Sequence, residues 1–186
     1  MSASAIEETA LVVYESMYDN TAHVAEAIAQ GLELGGMTVR VVNVTAAPAI
    51  DTIDADLLVV GAPTHAFSLS RQSSREDAVQ KGAKAERAQV GVREWLAAGR
   101  PSARSATRLA AVFDTRVRKV RHLKAAASRA RRVLGHLGFT LVERPMGFLV
   151  DDLKGPLVEG ETDRALSWGL ELAGACHRHA ASLTAG

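Results

Sequence analysis

Leu11-Val12-Val13-Tyr14-Glu15-Ser16-Met17-Tyr18-Asp19-Asn20-Thr21-Ala22-His23-Val24-Ala25 is an apolar run that breaks into polar residues and then resumes with helical spacing. It reads as strand, loop and helix. Such a junction aims several unpaired backbone N–H groups and the positive end of a helix dipole at one point, which is the physical requirement for holding a phosphate. Asp19 places a carboxylate in the middle of that anion site.

Outward from this stretch, strand and helix patterns alternate. Val24, Ile28 and Leu32 recur at every fourth position, giving one apolar helix face that stops at Gly35 and Gly36. Val39, Val41, Val42 and Val44 form a second β-branched run, and residues 45–53, with Pro48 and Asp51, are too few for a long connecting helix. A third buried strand, Leu57-Leu58-Val59-Val60-Gly61, leads into Ala62-Pro63-Thr64-His65-Ala66-Phe67, where Pro63 is expected to end ladder pairing. Residues 68–90 are poor in large apolar side chains and are expected to be a solvent-exposed, partly mobile excursion. Val92, Trp95 and Leu96 then give a short helical face, and Leu109 to Phe113 a fourth strand that ends in a polar loop, Asp114-Thr115-Arg116.

The remaining elements follow the same rhythm. Leu123, Ala126, Ala127, Ala130, Val133, Leu134 and Leu137 share one helix face, with Arg129, Arg131 and Arg132 opposite. Residues 139–150 hold a last strand interrupted by Pro145 and Gly147, and residues 161–183 a final helix around Leu166, Trp168, Leu170 and Leu172. This order implies a five-stranded parallel sheet covered by helices on both faces, an α/β three-layer sandwich with right-handed crossovers. In such a sheet a ligand binds outside the C-terminal strand ends, where the loops after the first, third and fourth strands converge.

Composition bounds the function. With 186 residues, 47% hydrophobic and 23% charged, the chain is expected to form one domain, residues 1–186, with residues 1–9 disordered. Its single cysteine, Cys176, excludes an internal disulfide framework and suits a reducing compartment, so a cytoplasmic location is expected. The start of the chain has neither a basic region nor a long apolar stretch of the signal-peptide type, and no run approaches membrane-spanning length.

The spacing Ser16-Met17-Tyr18-Asp19-Asn20-Thr21 resembles the FMN phosphate loop of flavodoxins, written T/S-x-T/Y-G-x-T, with Asp19 where that family has glycine. The segments Gly61 to Phe67 and Asp114 to Arg116 lie where the family's two flavin-ring loops fall, so the resemblance extends over nearly the whole chain in element order. It implies a flavodoxin-like fold and an FMN site built from Ser16, Met17, Tyr18, Asn20 and Thr21 at the phosphate. At the ring it implies Pro63, Thr64, His65, Ala66 and Phe67 together with Asp114, Thr115 and Arg116. The implied function is electron transfer or flavin-dependent reduction, as a carrier or an FMN-dependent oxidoreductase, with a redox partner protein or a small-molecule electron acceptor. His65 and Phe67 are the candidates for stacking on the flavin; the other loop offers no Tyr or Trp.

Asp19 keeps a second reading open. Asp tolerates a left-handed backbone, so the loop's shape can survive. A carboxylate about 5 Å from a phosphate charge costs about 3 kcal/mol at an effective dielectric of roughly 20, near two powers of ten in affinity. The alternative is therefore a flavodoxin-fold binding or interaction protein in which Asp19 has weakened or abolished FMN binding.

Other features carry bland readings. Asp114 and Arg116 can pair with each other at a strand end. The basic residues between Arg100 and Arg132 read as a solvated face; they could also dock an acidic redox partner, whereas nucleic acid is disfavoured because no aromatic side chains are interleaved with them. Cys176 and His179 share a helix face, but an exposed helix tail explains them without a metal.

Overall fold

The computed structural model describes residues 8–64, 68–103, 105–120 and 126–184. In chain order the elements are β1 (Thr9–Tyr14), α1 (Asn20–Leu34), β2 (Thr38–Asn43), β3 (Leu57–Pro63), α2 (Gln72–Gln80), α3 (Val92–Ala98), β4 (Leu109–Val117), α4 (Ala126–His136), β5 (Thr140–Leu141), β6 (Met146–Val150) and α5 (Glu161–Thr184). All strand pairs of the sheet are parallel, in the order β2-β1-β3-β4, and the place beyond β4 is filled twice. Here β5 pairs the start of β4, through Leu109↔Thr140, and β6 pairs its end, through Phe113↔Met146 to Val117↔Val150. The fifth strand is thus one path broken around Pro145, as expected for a residue that cannot donate to a ladder.

Strand alternation divides the core into two halves. Ala10, Val12, Leu57, Val59, Ala111 and Phe113 face one side, where they bury Val24, Ile28 and Leu32 of α1 and Ala165, Trp168 and Leu172 of α5. Leu11, Val13, Leu58, Val60, Ala110 and Val112 face the other, against Trp95 and Leu96 of α3 and Ala130 and Leu134 of α4. Two helices on each face complete the three layers. The connection between β2 and β3 is reduced to two single 3-10 turns, Val44–Ala46 and Ile50–Thr52, in keeping with its short, Pro-containing sequence.

Several expectations change. The fourth strand does not stop at Phe113: Asp114, Thr115 and Arg116 belong to β4 and pair with Gly147, Phe148 and Leu149 of β6, so they form a strand end and not a loop. Pro63 remains in register opposite Thr115, and Thr64 N–H adds one more bond to the Thr115 carbonyl at 2.8 Å. Strand pairing starts at Thr9, inside the stretch expected to be disordered. On α5 the buried stripe is Ala165, Trp168, Leu172, Ala173 and Cys176, while Leu170 is exposed; Cys176 is therefore core and not part of an exposed tail. Burial pushes its thiol pKa up to about 12.

The polar segment after Ser68 is largely solvent-exposed, as expected, but it is ordered into defined elements. It contains α2 and a 3-10 turn, Ala85–Ala88, and it is anchored by a buried arginine. Arg75, 1% exposed, donates from Nε to the Ala88 carbonyl at 3.1 Å and from Nη1 to Ser70 Oγ at 2.9 Å, and pairs with Glu94 at 3.1 Å. With its charge paired and its donors bonded, an arginine can sit where polarity alone predicts exposure. Ala78 and Ala83 pack on Met17, which seats the segment against the β1–α1 loop.

Candidate functional site

The loop between β1 and α1 takes its shape from three anchors. Met17 is buried among Ala78 and Ala83, Tyr18 donates its hydroxyl proton to the Ala78 carbonyl at 3.1 Å, and Asp19 occupies the N-cap of α1 in the left-handed region, φ 66 and ψ −13. The Asp19 side chain makes no capping bond. Ser16 Oγ accepts from Ala22 N–H instead, at 3.3 Å, a capping role that the sequence allows for Ser16. The first-turn amides of α1, which no helix carbonyl can satisfy, therefore start at this loop.

One pocket at the C-terminal edge of the sheet brings the expected segments together. Ser16, Met17, Tyr18, Asn20 and Thr21 line one wall, Pro63 and Thr64 a second, and Thr115 and Arg116 a third. Thr21 Oγ1 and Thr115 Oγ1 lie 2.8 Å apart, so a hydrogen bond joins the phosphate-type loop to the end of β4 across the sheet. Val117, Val150 and Leu153 complete the wall. Sequence reasoning missed these three; the one available signal was that the fifth strand also ends at this edge.

The remaining candidates divide. Asp114 is fully buried beneath the pocket and does not line it; its carboxylate accepts from Arg116 Nε at 2.7 Å and from Ala127 N–H at 3.1 Å, the first of which is the ion pair anticipated as its bland reading. Burial raises its pKa, and Arg116 and the Ala127 amide work against that rise. Thr64 Oγ1 accepts from Ala126 N–H at 3.1 Å and so ties β3 to the start of α4. His65, Ala66 and Phe67 lie outside the described residues.

Asp19 is turned out of the pocket. Residues on both sides of it line the central pocket, whereas Asp19 lines an outer groove with His23, Glu26 and Lys154. Its Oδ1 pairs with Arg87 Nη1 at 2.7 Å, and Arg87 also donates to the Met17 carbonyl at 3.3 Å. On the other flank Lys154 Nζ stands 5.9 Å from the centroid of the Tyr18 ring. Beneath the loop, Glu15 is 1% exposed and its Oε2 accepts from Val92 N–H at 2.9 Å. Burial raises its pKa, while Ser70, the Val92 amide and Arg75 pull it down.

The donor set fits a phosphomonoester carrying a polyhydroxyl chain. Hydroxyls of Ser16, Thr21, Thr64 and Thr115 and the Asn20 amide converge with a helix N-terminus, and no Walker-type lysine is needed to hold a dianion of this kind. Among the described residues no group of three or more His, Cys, Asp or Glu side chains could hold a metal, and no helix is long and apolar enough to cross a membrane.

Solved structures share this architecture. A flavodoxin from the domain Archaea is 17% identical with a TM-score of 0.63, covering 91% of this chain and 99% of its own. The flavodoxin of Streptococcus pneumoniae TIGR4 is 20% identical with a TM-score of 0.62, at 90% and 99% coverage. The rubredoxin oxygen:oxidoreductase of Desulfovibrio gigas is 15% identical with a TM-score of 0.61; the match takes in 94% of this chain and 38% of that larger one. At these identities the likeness establishes the fold. No curated protein matches the sequence significantly. The family model for flavodoxin matches residues 12–165, from the first strand into the final helix, and the chain belongs to the flavodoxin family.

Proposed function

We propose that this protein binds FMN in the pocket at the C-terminal sheet edge and passes electrons through it to a protein or small-molecule acceptor. The observation that carries the reading is the convergence of Ser16, Asn20, Thr21, Thr64 and Thr115 on one hydroxyl- and amide-lined pocket at the start of α1. The Asp19–Arg87 pair supports binding over the cofactor-free alternative, because it answers the carboxylate that was the reason for doubting the site. FMN supplies the redox chemistry when bound. The chain's own residues hold the phosphate and ribityl hydroxyls at Ser16, Asn20, Thr21 and Thr115, and position the ring beside Pro63, Thr64 and Arg116.

Ser16 and Thr21, 3% and 2% exposed, have their hydroxyls held in place by Ala22 N–H and Thr115 Oγ1, so the polar wall is preorganised for a ligand's oxygens. The test is direct. Protein loaded with FMN and passed through gel filtration should retain about one flavin per chain, become colourless on reduction, and regain its colour when ferricyanide is added. Elution of protein free of flavin would overturn the proposal. NAD(P)H oxidation by the loaded protein alone would assign it as a reductase; its absence with intact ferricyanide turnover would assign a carrier.

A further inference from the structure

We propose that Arg87 is the positioning residue that makes an acidic loop competent to accept a phosphate group. This inference rests on the FMN reading and concerns how this chain satisfies it with Asp19 in place. Asp19 stands at the N-cap of α1 without a side-chain capping bond, the position where a carboxylate most directly opposes an incoming phosphate. Its neighbours Tyr18 and Asn20 line the central pocket and Asp19 does not. Arg87 accounts for that difference: one guanidinium reaches the Asp19 carboxylate at 2.7 Å and the Met17 carbonyl at 3.3 Å, spanning the loop from outside and fixing the carboxylate on the outer side.

The arginine is itself held in place. It sits in the Ala85–Ala88 turn, whose Ala88 carbonyl accepts from the buried Arg75, and its side chain is only 21% exposed. The preceding helix is fastened to the same loop through Tyr18 Oη and the Ala78 carbonyl. The segment that sequence polarity marks as an excursion therefore delivers a cation to the one residue of the loop that departs from the family pattern. Asp19 is 52% exposed, so solvent moderates the pair and the expected effect is moderate as well.

A charge cycle read on two ligands tests this. Dissociation constants are measured by flavin fluorescence quenching for FMN and for riboflavin, which lacks the phosphate, with wild type, Arg87→Ala, Arg87→Lys, Asp19→Asn and the double variant Arg87→Ala/Asp19→Asn. Asn tolerates the same left-handed backbone. Arg87→Ala should weaken FMN about three- to tenfold and leave riboflavin unchanged, since only the phosphate meets the unmasked carboxylate. Arg87→Lys should recover part of the loss, and the double variant most of it. Added salt should narrow the gap between Arg87→Ala and wild type by screening the repulsion. An equal loss for both flavins would assign Arg87 a purely structural role and overturn the inference, as would FMN affinity unchanged in Arg87→Ala. Wild-type protein that binds no FMN would overturn the underlying reading, and the inference with it, a result distinct from the other two.

Discussion

Glu15 follows the last residue of β1 and precedes Ser16, and its side chain reaches Val92 at the start of α3 beside Arg75 of α2. It is buried with Arg75 and Ser70, and the exposed Glu94 joins them around Gly91, where an added Cβ would lie 2.4 Å from Arg75 Nη1 and 2.9 Å from each carboxylate. A side chain at this position would have to displace the ends of all three. Burial raises the Glu15 pKa above 4.5 in the folded protein, so the folded state holds a proton that the unfolded state has released over the window between the two values. Stability from this group is fullest below the unfolded pKa and is lost as pH rises through the folded one. Glu15→Gln removes that titration. The unfolding free energy of wild type should therefore fall relative to Glu15→Gln as pH is raised from 4.5 towards neutrality in urea denaturation; parallel curves across that range would contradict the burial argument. In the sequence Glu15 closes the run expected to be the first strand, with nothing to mark the ionic cluster it enters. Little local marks Arg75 beside it, because apart from Ser70 the groups that let this arginine be buried lie 13 and 19 positions away.

At the scale of elements, the site depends on how closely α1 is held, since its first turn is part of the pocket. α1 and α5 approach through glycines: a Cβ at Gly31 would lie 2.0 Å from the Leu166 carbonyl oxygen, and one at Gly169 2.2 Å from the Ile28 carbonyl oxygen. Both obstacles are backbone and cannot swing aside. Gly169→Ala gains helix propensity of about 1 kcal/mol, but it must push the helices apart, an overpacking that costs about 1–3 kcal/mol or more at so short a contact. The expected outcome is a lower thermal midpoint and weaker FMN binding. Gly174→Ala is the control: its nearest obstacle is the flexible end of Arg178 at 3.3 Å, so the substitution should be neutral or stabilising by up to about 1 kcal/mol. Equal destabilisation by both would show that the close helix contact is not what matters. The face of α1 was readable because Val24, Ile28 and Leu32 repeat with the helix period and all are buried. The face of α5 was readable in part: Trp168 and Leu172 are buried as expected, whereas Leu170 is exposed and the small Ala165, Ala173 and Cys176 fill the rest of the stripe.

On the scale of the whole molecule, the alternation of strand and helix implied the parallel sheet and its binding edge, because crossover handedness and burial on both faces leave few other arrangements. The placement of the first loop against the ends of β3 and β4 follows from the same topology, and Ser16, Asn20, Thr21, Pro63, Thr64, Thr115 and Arg116 do meet there. Two features of that edge required the three-dimensional arrangement. Asp114 reads as a loop acid until β4 is seen to run on to Val117, which places it beneath the pocket in a bond with Arg116. Arg87 lies 68 positions from Asp19 in sequence, and no spacing rule connects a surface arginine to a distant N-cap.

On the proposed function, this edge of the sheet holds FMN by its phosphate despite Asp19. Titration of cofactor-free wild-type protein with FMN, followed by quenching of flavin fluorescence, measures it most directly, with riboflavin in parallel. The expected result is saturable quenching at one FMN per chain and weaker binding of riboflavin. No quenching at excess FMN, or equal affinity for the two flavins, would contradict it.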